Sequence, residues 1–223
     1  MTPRIALAPE GEIIRVAAGE SGYPVSLAGL GDSAPASLSL LGDVALLELP
    51  LIGFFCSARL PPSGVLASYD LARALRDAEV AVASGFQAPA ERECLAFLLR
   101  GRQPVVVCAA RGLGGMRLPA EWRRARADGR LIVVATVQDR VRRPTVALAE
   151  ARNRLVAVLA QVLVVVHATP GGRLGRLAAE RLRAGQRVYC LDLPENEDLR
   201  TAGAVALGAS ELVAEVVGAR KGV

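Results

Sequence analysis

The stretch ARNRLVAVLAQVLVVVHATPGGRLGRLAAERLRAGQRVYCL, residues 151–191, decides the fold class. A helical pattern ends in the apolar run VLVVV, a turn with two adjacent glycines follows, and a second helical pattern leads into RVYCL. This helix–strand–turn–helix–strand order is typical of a parallel sheet covered by helices. A strand that ends in a glycine pair before a helix is also the usual architecture of a phosphate-binding turn.

Apolar runs and amphipathic segments alternate in the same way from residue 44 onward. We therefore predict an α/β fold with a doubly wound, mostly parallel, Rossmann-like sheet and helices on both faces. The segment 44–56 is predicted as a strand that Pro50 splits, and RVYCL as the last clear strand. Residues 1–42 are predicted as an N-terminal extension, made of a β-hairpin (RIALAP-EGE-IIRVA) and a Gly-, Pro- and Ser-rich loop, and residues 43–223 as the Rossmann-like domain.

The composition excludes several classes of protein. Hydrophobic residues make up 52% of the chain and aromatic residues only 4%, as in buried parallel sheets built from Ala, Val and Leu. The longest apolar run, residues 155–166, is too short to span a bilayer, and the N-terminus has no signal-peptide pattern. Four widely spaced cysteines without a CxxC pair indicate reduced, buried thiols. We expect a cytoplasmic protein with no membrane contact, no metal and no cofactor.

The positive charge is concentrated in one part of the chain. Residues 100–154 contain thirteen arginines against four acidic residues, a net charge of +9, whereas the whole chain carries +5 and the remainder therefore −4. This asymmetry indicates a basic face suited to phosphate groups. The bias of 26 arginines to one lysine also fits a GC-rich genome, so composition alone leaves both interpretations open.

Ligands of doubly wound sheets bind beyond the carboxyl ends of the strands, where the strand order reverses. Ser57 and Arg59 leave the first such strand and could hold an anion, although an ordinary surface turn is the alternative. Ser84 and Gly85 end the next strand, where a glycine needs no ligand to explain it. Further candidates for phosphate or nucleic-acid binding in these loops are Arg111, Gly171, Gly172 and Arg173.

The tripeptide Arg152–Asn153–Arg154 is the sharpest candidate. Residues two apart diverge on a helix, so both arginines cannot extend one solvated stripe. Arginine binds phosphate with two hydrogen bonds, and the Asn153 amide both donates and accepts. His167, the single histidine, is expected to be a packing residue, since no nucleophile lies near it in the sequence. Trp122 and Tyr69 are also expected to pack rather than stack on bases.

Several stretches occur together in a family-specific order. They are GYPVSLAGLGDSAPASLSLLGD (22–43), CSAR (56–59), SGF (84–86), ARNRLVAVLAQVLVVVHA (151–168), AAERLRAGQRVYCL (178–191) and GASELV (208–213). In this order they resemble the Rossmann-like domain of the DNA-processing protein A (DprA/Smf) family, with CSAR at the place of its Gly-Ser-Arg turn. The resemblance implies non-enzymatic binding of single-stranded DNA, in DNA processing, uptake or recombination. It is compatible with a homodimer.

The sequence departs from the family at two places. QAPAERECL (87–95) replaces a Gly-Ile-Asp…His segment, and GGRLGRLAA (171–179) replaces a Gly-Ser…Thr-Ala turn, with Arg173 and Arg176 as substitutes for its hydroxyls. The helical and winged-helix modules of longer members are absent from these 223 residues. The recombinase-loading role of the well-known members, which help natural transformation, therefore transfers poorly, and phosphate binding transfers better.

Two other functions remain as alternatives. One is a nucleotide-binding sensor or effector on the same fold. The other is a nucleoside-monophosphate phosphoribohydrolase, since PGGRLGRLAAE (170–180) is similar to the PGGxGTxxE motif of the cytokinin-activating enzymes. In this chain Arg176 stands where the motif has its threonine. Glu180 lies one position further from the last glycine than the glutamate of the motif does. One position turns a helical side chain by about 100°, which argues against catalysis.

Overall fold

The computed structural model describes residues 12–220 and the side chains of residues 12–218. The described residues form one nine-stranded sheet in the order β1-β2-β6-β5-β4-β3-β7-β8-β9. The strands are β1 (Ile14–Ala17), β2 (Ser37–Leu41), β3 (Ile52–Phe55), β4 (Val82–Ser84), β5 (Val105–Cys108), β6 (Leu131–Ala135), β7 (Val162–Val165), β8 (Arg187–Leu191) and β9 (Val205–Leu207).

Helices cover both faces of this sheet. The helices α2, α3, α4 and α8 pack on one face, while α1, α5, α6 and α7 pack on the other. The helices are α1 (Val25–Ala28), α2 (Pro62–Asp77), α3 (Pro89–Leu98), α4 (Ala120–Ala127), α5 (Val146–Leu159), α6 (Arg173–Arg183), α7 (Glu197–Thr201) and α8 (Ala209–Arg220).

The strand order reverses between β3 and β7. From β3 the chain moves outward through β4, β5 and β6 in one direction, then crosses back to β7 and continues outward through β8 and β9 in the other. All neighbouring pairs from β6 to β9 are parallel. The predicted doubly wound, mostly parallel fold is therefore confirmed, and the switch point brings together the loops that follow β3 and β7.

The structure corrects three local predictions. The loop predicted before residue 43 contains β2, which pairs antiparallel with both β1 and β6. Residues Val44–Glu48 form a 3₁₀ helix, whose N-cap Asp43 accepts a hydrogen bond from the Ala45 amide, so only the part after Pro50 is a strand. The short strand β9 follows the one predicted as last. The first half of the predicted hairpin, RIALAP, lies outside the described residues. In the second half, β1 pairs with β2. The domain boundary at residue 42 stays a prediction.

The four cysteines are free and buried. Burial is the main cause that raises the pKa of each thiol, to about 12 for Cys56, Cys94 and Cys108 and to about 11 for Cys190. Thiols of this kind stay protonated near neutral pH and react slowly. They serve as small apolar residues of the core.

Gly42 tests how tightly β2 is held against the main sheet. Its φ is +136°, and a Cβ there would lie 2.5 Å from the carbonyl oxygen of Leu131 and 2.9 Å from the Cα of Ile132. We expect Gly42→Ala to lower the free energy of unfolding in urea by about 2–3 kcal/mol, because backbone atoms cannot move aside. Gly129→Ala is the control: φ is +70° and nothing lies within 4 Å, so a loss of about 1 kcal/mol is expected. Equal losses would contradict the close approach.

Candidate functional site

The loops after β3 and β7 are joined by two hydrogen bonds at the switch point. The Ser57 amide donates to the carbonyl oxygen of His167 at 2.9 Å, and the Thr169 amide donates to Ser57 Oγ at 2.9 Å. The Ser57 hydroxyl, predicted as an anion ligand, therefore already accepts one hydrogen bond. It keeps its own O–H for a ligand, because a hydroxyl both donates and accepts.

The glycine turn after β7 leads directly into α6. Gly171 has a φ of +65°, which favours glycine, and Gly172 is the N-cap of the helix without a side-chain cap. The first amide groups of a helix lack partners within the helix and attract anions. Arg176 donates from Nη1 to the Gly171 carbonyl oxygen at 2.7 Å, so this arginine braces the turn. The predicted phosphate-binding turn thus has suitable backbone geometry.

His167 is a packing residue in the structure. Its Nδ1 lies 3.0 Å from Asn196 Oδ1, and the Asn196 amide nitrogen donates to the carbonyl oxygens of Val166 and Leu191, each at 2.9 Å. This buried network ties the carboxyl ends of β7 and β8 together. The helices' aromatic residues Trp122 and Tyr69 pack against the core, as the sequence predicted.

Glu91 is a buried acceptor that sequence reasoning missed. One carboxylate oxygen accepts from the Cys56 amide at 2.9 Å, and the other accepts from the amides of Gln87 and Ala88 at 2.8 and 3.2 Å. The carboxylate therefore joins the loops after β3 and β4 and caps α3. Burial raises the pKa of Glu91, although these three hydrogen bonds and the nearby Arg152 oppose that rise. The signal available in the sequence was a Glu at the third position of a helix that begins at Pro89.

Arg152 lies beneath the loop after β4. Its residue exposure is 7%, and Nε and Nη1 have no hydrogen-bond partner within the described part of the chain. A Cβ at Gly85 would overlap the guanidinium, so the glycine makes the space that Arg152 fills. Desolvation lowers the pKa of Arg152, and Glu91 and Cys108 act in the opposite direction. Ser84, fully buried, accepts a hydrogen bond from the Phe86 amide and shapes the same turn.

Asn153, Arg154 and Arg173 share a small cleft of about 110 Å³ between α5 and α6. Arg154 is exposed and has no hydrogen-bond partner among the described residues, whereas Arg173 forms a 2.6 Å ion pair with Glu150. The structure thus separates the two arginines of the Arg-Asn-Arg stretch. Arg152 points into the protein and Arg154 faces solvent.

The loops after β5 and β6 carry further positive charge. Arg59, after β3, is exposed, and Arg111 is half-buried with its Nε donating to the Gly112 carbonyl oxygen. The loops 109–119 and 136–145 contact each other, since the Gly112 amide donates to the Val141 carbonyl oxygen at 2.8 Å. Together they contain one acidic residue, Asp139, and five arginines: Arg111, Arg117, Arg140, Arg142 and Arg143. Of these five, Arg111 alone was among the predicted site residues, although the sequence QDRVRRP shows the last three.

No described helix is long and apolar enough to cross a membrane. No group of three or more His, Cys, Asp or Glu side chains within residues 12–220 could hold a metal ion.

The fold and site define an α/β protein whose doubly wound sheet presents amide groups, hydroxyls and arginines at its carboxyl edge. The chain belongs to the DNA recombination-mediator protein A family, whose model matches residues 15–221. The resemblance to the DprA family found in the sequence is thereby confirmed. No curated protein sequence matches this chain.

Solved structures of three proteins share the fold. DNA processing protein A from Streptococcus pneumoniae has a TM-score of 0.77 at 17% identity, covering 92% of this chain and 74% of that chain. DNA processing protein A from Helicobacter pylori, described for its single-stranded DNA binding mode, has a TM-score of 0.75 at 17% identity, covering 94% and 98%. The molybdenum cofactor binding protein from Rippkaea orientalis has a TM-score of 0.54 at 14% identity, covering 76% and 96%.

The contact between Gly85 and Arg152 can be tested with a double-mutant cycle. We expect Gly85→Ala to lower the free energy of unfolding by about 2–3 kcal/mol, because the added methyl group displaces a buried guanidinium. In the Arg152→Ala background the same change should cost less than about 0.5 kcal/mol, because the space is then empty. Urea denaturation of the four proteins measures both values. A cost of Gly85→Ala that is the same in both backgrounds would show that the two residues are not coupled.

Glu91 can be tested with an isosteric change. We expect Glu91→Gln to lower the free energy of unfolding by about 1–3 kcal/mol, since an amide group cannot accept hydrogen bonds on both sides and leaves backbone N–H groups unpaired. Glu93→Gln removes the same charge from an exposed position of the same helix and should change stability by less than about 0.5 kcal/mol. Chemical denaturation distinguishes the two, and equal stabilities would refute the joining role of Glu91.

Proposed function

We propose that this chain binds single-stranded DNA through its phosphate backbone, without catalysing a reaction. The proposed interface is the carboxyl edge of the sheet around the switch point. It contains Ser57, Arg59, Ser84, Gly85, Arg111, Arg152, Asn153, Arg154, Gly171, Gly172 and Arg173. The Helicobacter pylori relative, whose structure is described for binding single-stranded DNA, supports this choice of ligand.

The observation that carries the proposal is the charge of the loops at this edge. The loops after β5 and β6 contain five arginines and one aspartate, and Arg59 is exposed on the loop after β3. Backbone phosphates are recognised mainly by arginine, lysine and main-chain amides, with little dependence on base sequence. The main-chain amide groups at the start of α6 provide further hydrogen-bond donors for phosphate.

The proposed residues have different tasks. Arg59 and Arg154 are exposed and free of partners in the described structure, so they can contact phosphate directly. Arg173 would have to exchange Glu150 for a phosphate group. Arg152, Ser84 and Gly85 lie in or beneath the loop after β4, and we propose that they set the position of that loop.

A nucleotide-binding sensor is the second candidate function. The observation in its favour is a cavity of about 460 Å³ beside the glycine turn, a size typical of small-ligand sites. Its lining includes Thr169, Gly172 and Arg176, but also Glu180 and Asp198, which disfavour a phosphate group. A nucleotide that raises the melting temperature more than an oligonucleotide does would favour this alternative.

The relation to the family suggests a wider setting for this binding. We propose a role in DNA processing, uptake or recombination, in the cytoplasm, with a homodimer as the working assembly. Single-stranded DNA is then the main partner. Catalysis has no place in this proposal, because Glu180 is exposed on α6 and Arg176 occupies the position of the threonine in the phosphoribohydrolase motif.

Binding of an oligothymidylate at several salt concentrations tests the proposal. We expect the affinity to fall steeply with salt, with a slope of about −0.7 for each phosphate neutralised, and to depend little on base sequence. The double change Arg59→Ala/Arg154→Ala should weaken binding by about 1–3 kcal/mol with an unaltered thermal melt, since both side chains are exposed.

Two further variants separate the interpretations. Arg187→Ala removes one exposed charge from the amino end of β8, on the opposite edge, and should leave affinity nearly unchanged. Arg152→Ala should alter the thermal melt more than Arg154→Ala does, because Arg152 is buried. Wild-type affinity in the folded Arg59→Ala/Arg154→Ala protein would refute the proposed interface.

A further inference from the structure

A polar cleft of about 590 Å³ opens at the carboxyl edge on the far side of β6 from the switch point. Strands β1 and β2 form one wall, and the loop after β6 forms the other. Its lining provides hydroxyl, amide and guanidinium groups from Arg15, Ser37, Ser39, Thr136, Gln138 and Arg140.

The register of the strands brings these groups together. Ser39 lies opposite Arg15 on β1 and opposite Ala135 on β6, so one face of β2 points its serines into the cleft. Asp139 is the acidic residue of this lining, and Arg15 Nε donates to it at 3.2 Å. Burial would raise the pKa of Asp139, but hydrogen bonds from Arg15 and Ser39 outweigh it and lower the pKa. The aspartate is thus ionised and already paired.

The other hydrogen-bond donors of the cleft are not paired with an acidic side chain in the described part of the chain. Arg140 is exposed and forms no hydrogen bond or ion pair with the described residues. The cleft therefore carries one uncompensated positive charge beside several hydroxyl groups. Guanidinium and hydroxyl groups converging on one space form charge-assisted hydrogen bonds with phosphate oxygens.

The two halves of the carboxyl edge differ in charge, and this difference indicates in which direction a bound DNA strand runs. Beyond β8, residues 192–200 contain the acidic residues Asp192, Glu195, Glu197 and Asp198 and one basic residue, Arg200. Arg200 pairs with Asp192 and Glu197, so this segment keeps a net negative charge. On the other side, the arginine-bearing loop after β5 lies between the switch point and the cleft, and the arginine-bearing loop after β6 forms the cleft wall. Three strand spacings of about 4.8 Å separate β3 from β6, about 14 Å in all, which a few nucleotides can span.

We propose that a DNA strand bound at the switch point runs toward β6 and places a backbone phosphate in this cleft, between Arg140 and Ser37. This inference rests on the proposed function and adds a direction and a second contact to it. The acidic residues after β8 repel a strand that would run the other way.

The test uses the full chain and oligothymidylates of about 6 and about 20 nucleotides, the shorter being near the lower limit of a single site. The double change Arg140→Ala/Ser37→Ala removes two exposed groups of the cleft and leaves the Arg15–Asp139 pair in place. We expect it to weaken binding of the longer strand about three- to tenfold and to reduce its salt slope by about 0.7. Affinity for the shorter strand should stay within about twofold.

Arg102→Ala is the matched control, since it removes an exposed arginine from the loop before β5, on the opposite edge. Wild-type affinity of the double variant for the longer strand would overturn the inference while leaving the proposed function intact. Equal losses for both lengths would also overturn it, because the cleft would then belong to the primary site. A wild-type protein that binds neither oligonucleotide would instead refute the proposed function.

Discussion

Two buried charged side chains, Glu91 and Arg152, constrain the carboxyl edge of the sheet. A carboxylate without hydrogen-bond donors or a guanidinium without space is costly inside a protein. Glu91 obtains its donors from the amides of two strand-end loops, and Arg152 obtains its space from Gly85. Glu91 thus joins the loops after β3 and β4, and Arg152 fills the space beneath the second of them. The exposed Arg59 and Arg154 follow Cys56 and Arg152 closely in the sequence, so these buried contacts help to position them.

The sequence was sufficient to predict the fold class and the central strands. Apolar runs such as 162–166 are recognised as buried strands because they are short and because helices of regular length flank them. The prediction was wrong where tertiary pairing decides the structure. Ser37–Leu41 alternates polar and apolar residues but is rich in serine, and it becomes a strand because β1 and β6 provide partners on both sides. Val44–Glu48 belongs to an apolar run that was predicted as a strand, yet the side chain of Asp43 caps a 3₁₀ turn there.

The candidate site could be predicted only in outline. The rule that ligands bind at the switch point selected the loops, and the structure brings Ser57 to the glycine turn through Thr169. Periodicity could not show that Arg152 points inward while Arg154 points outward, because both lie on a helix with apolar residues on several sides. The joining role of Glu91 depends on its hydrogen bond with the Cys56 amide, thirty-five positions away in the sequence, and no local pattern reveals that contact.

The burial of all four cysteines has a practical consequence for following a strand along this edge. With every native thiol enclosed and protonated, a cysteine introduced at an exposed position of a loop would be the one reactive sulfur of the folded chain. A fluorophore attached there would report from a single known point. Placed in turn on the loops after β8, β3 and β6, such probes would distinguish a ligand that lies across the basic half of the sheet edge from one that lies across the acidic half.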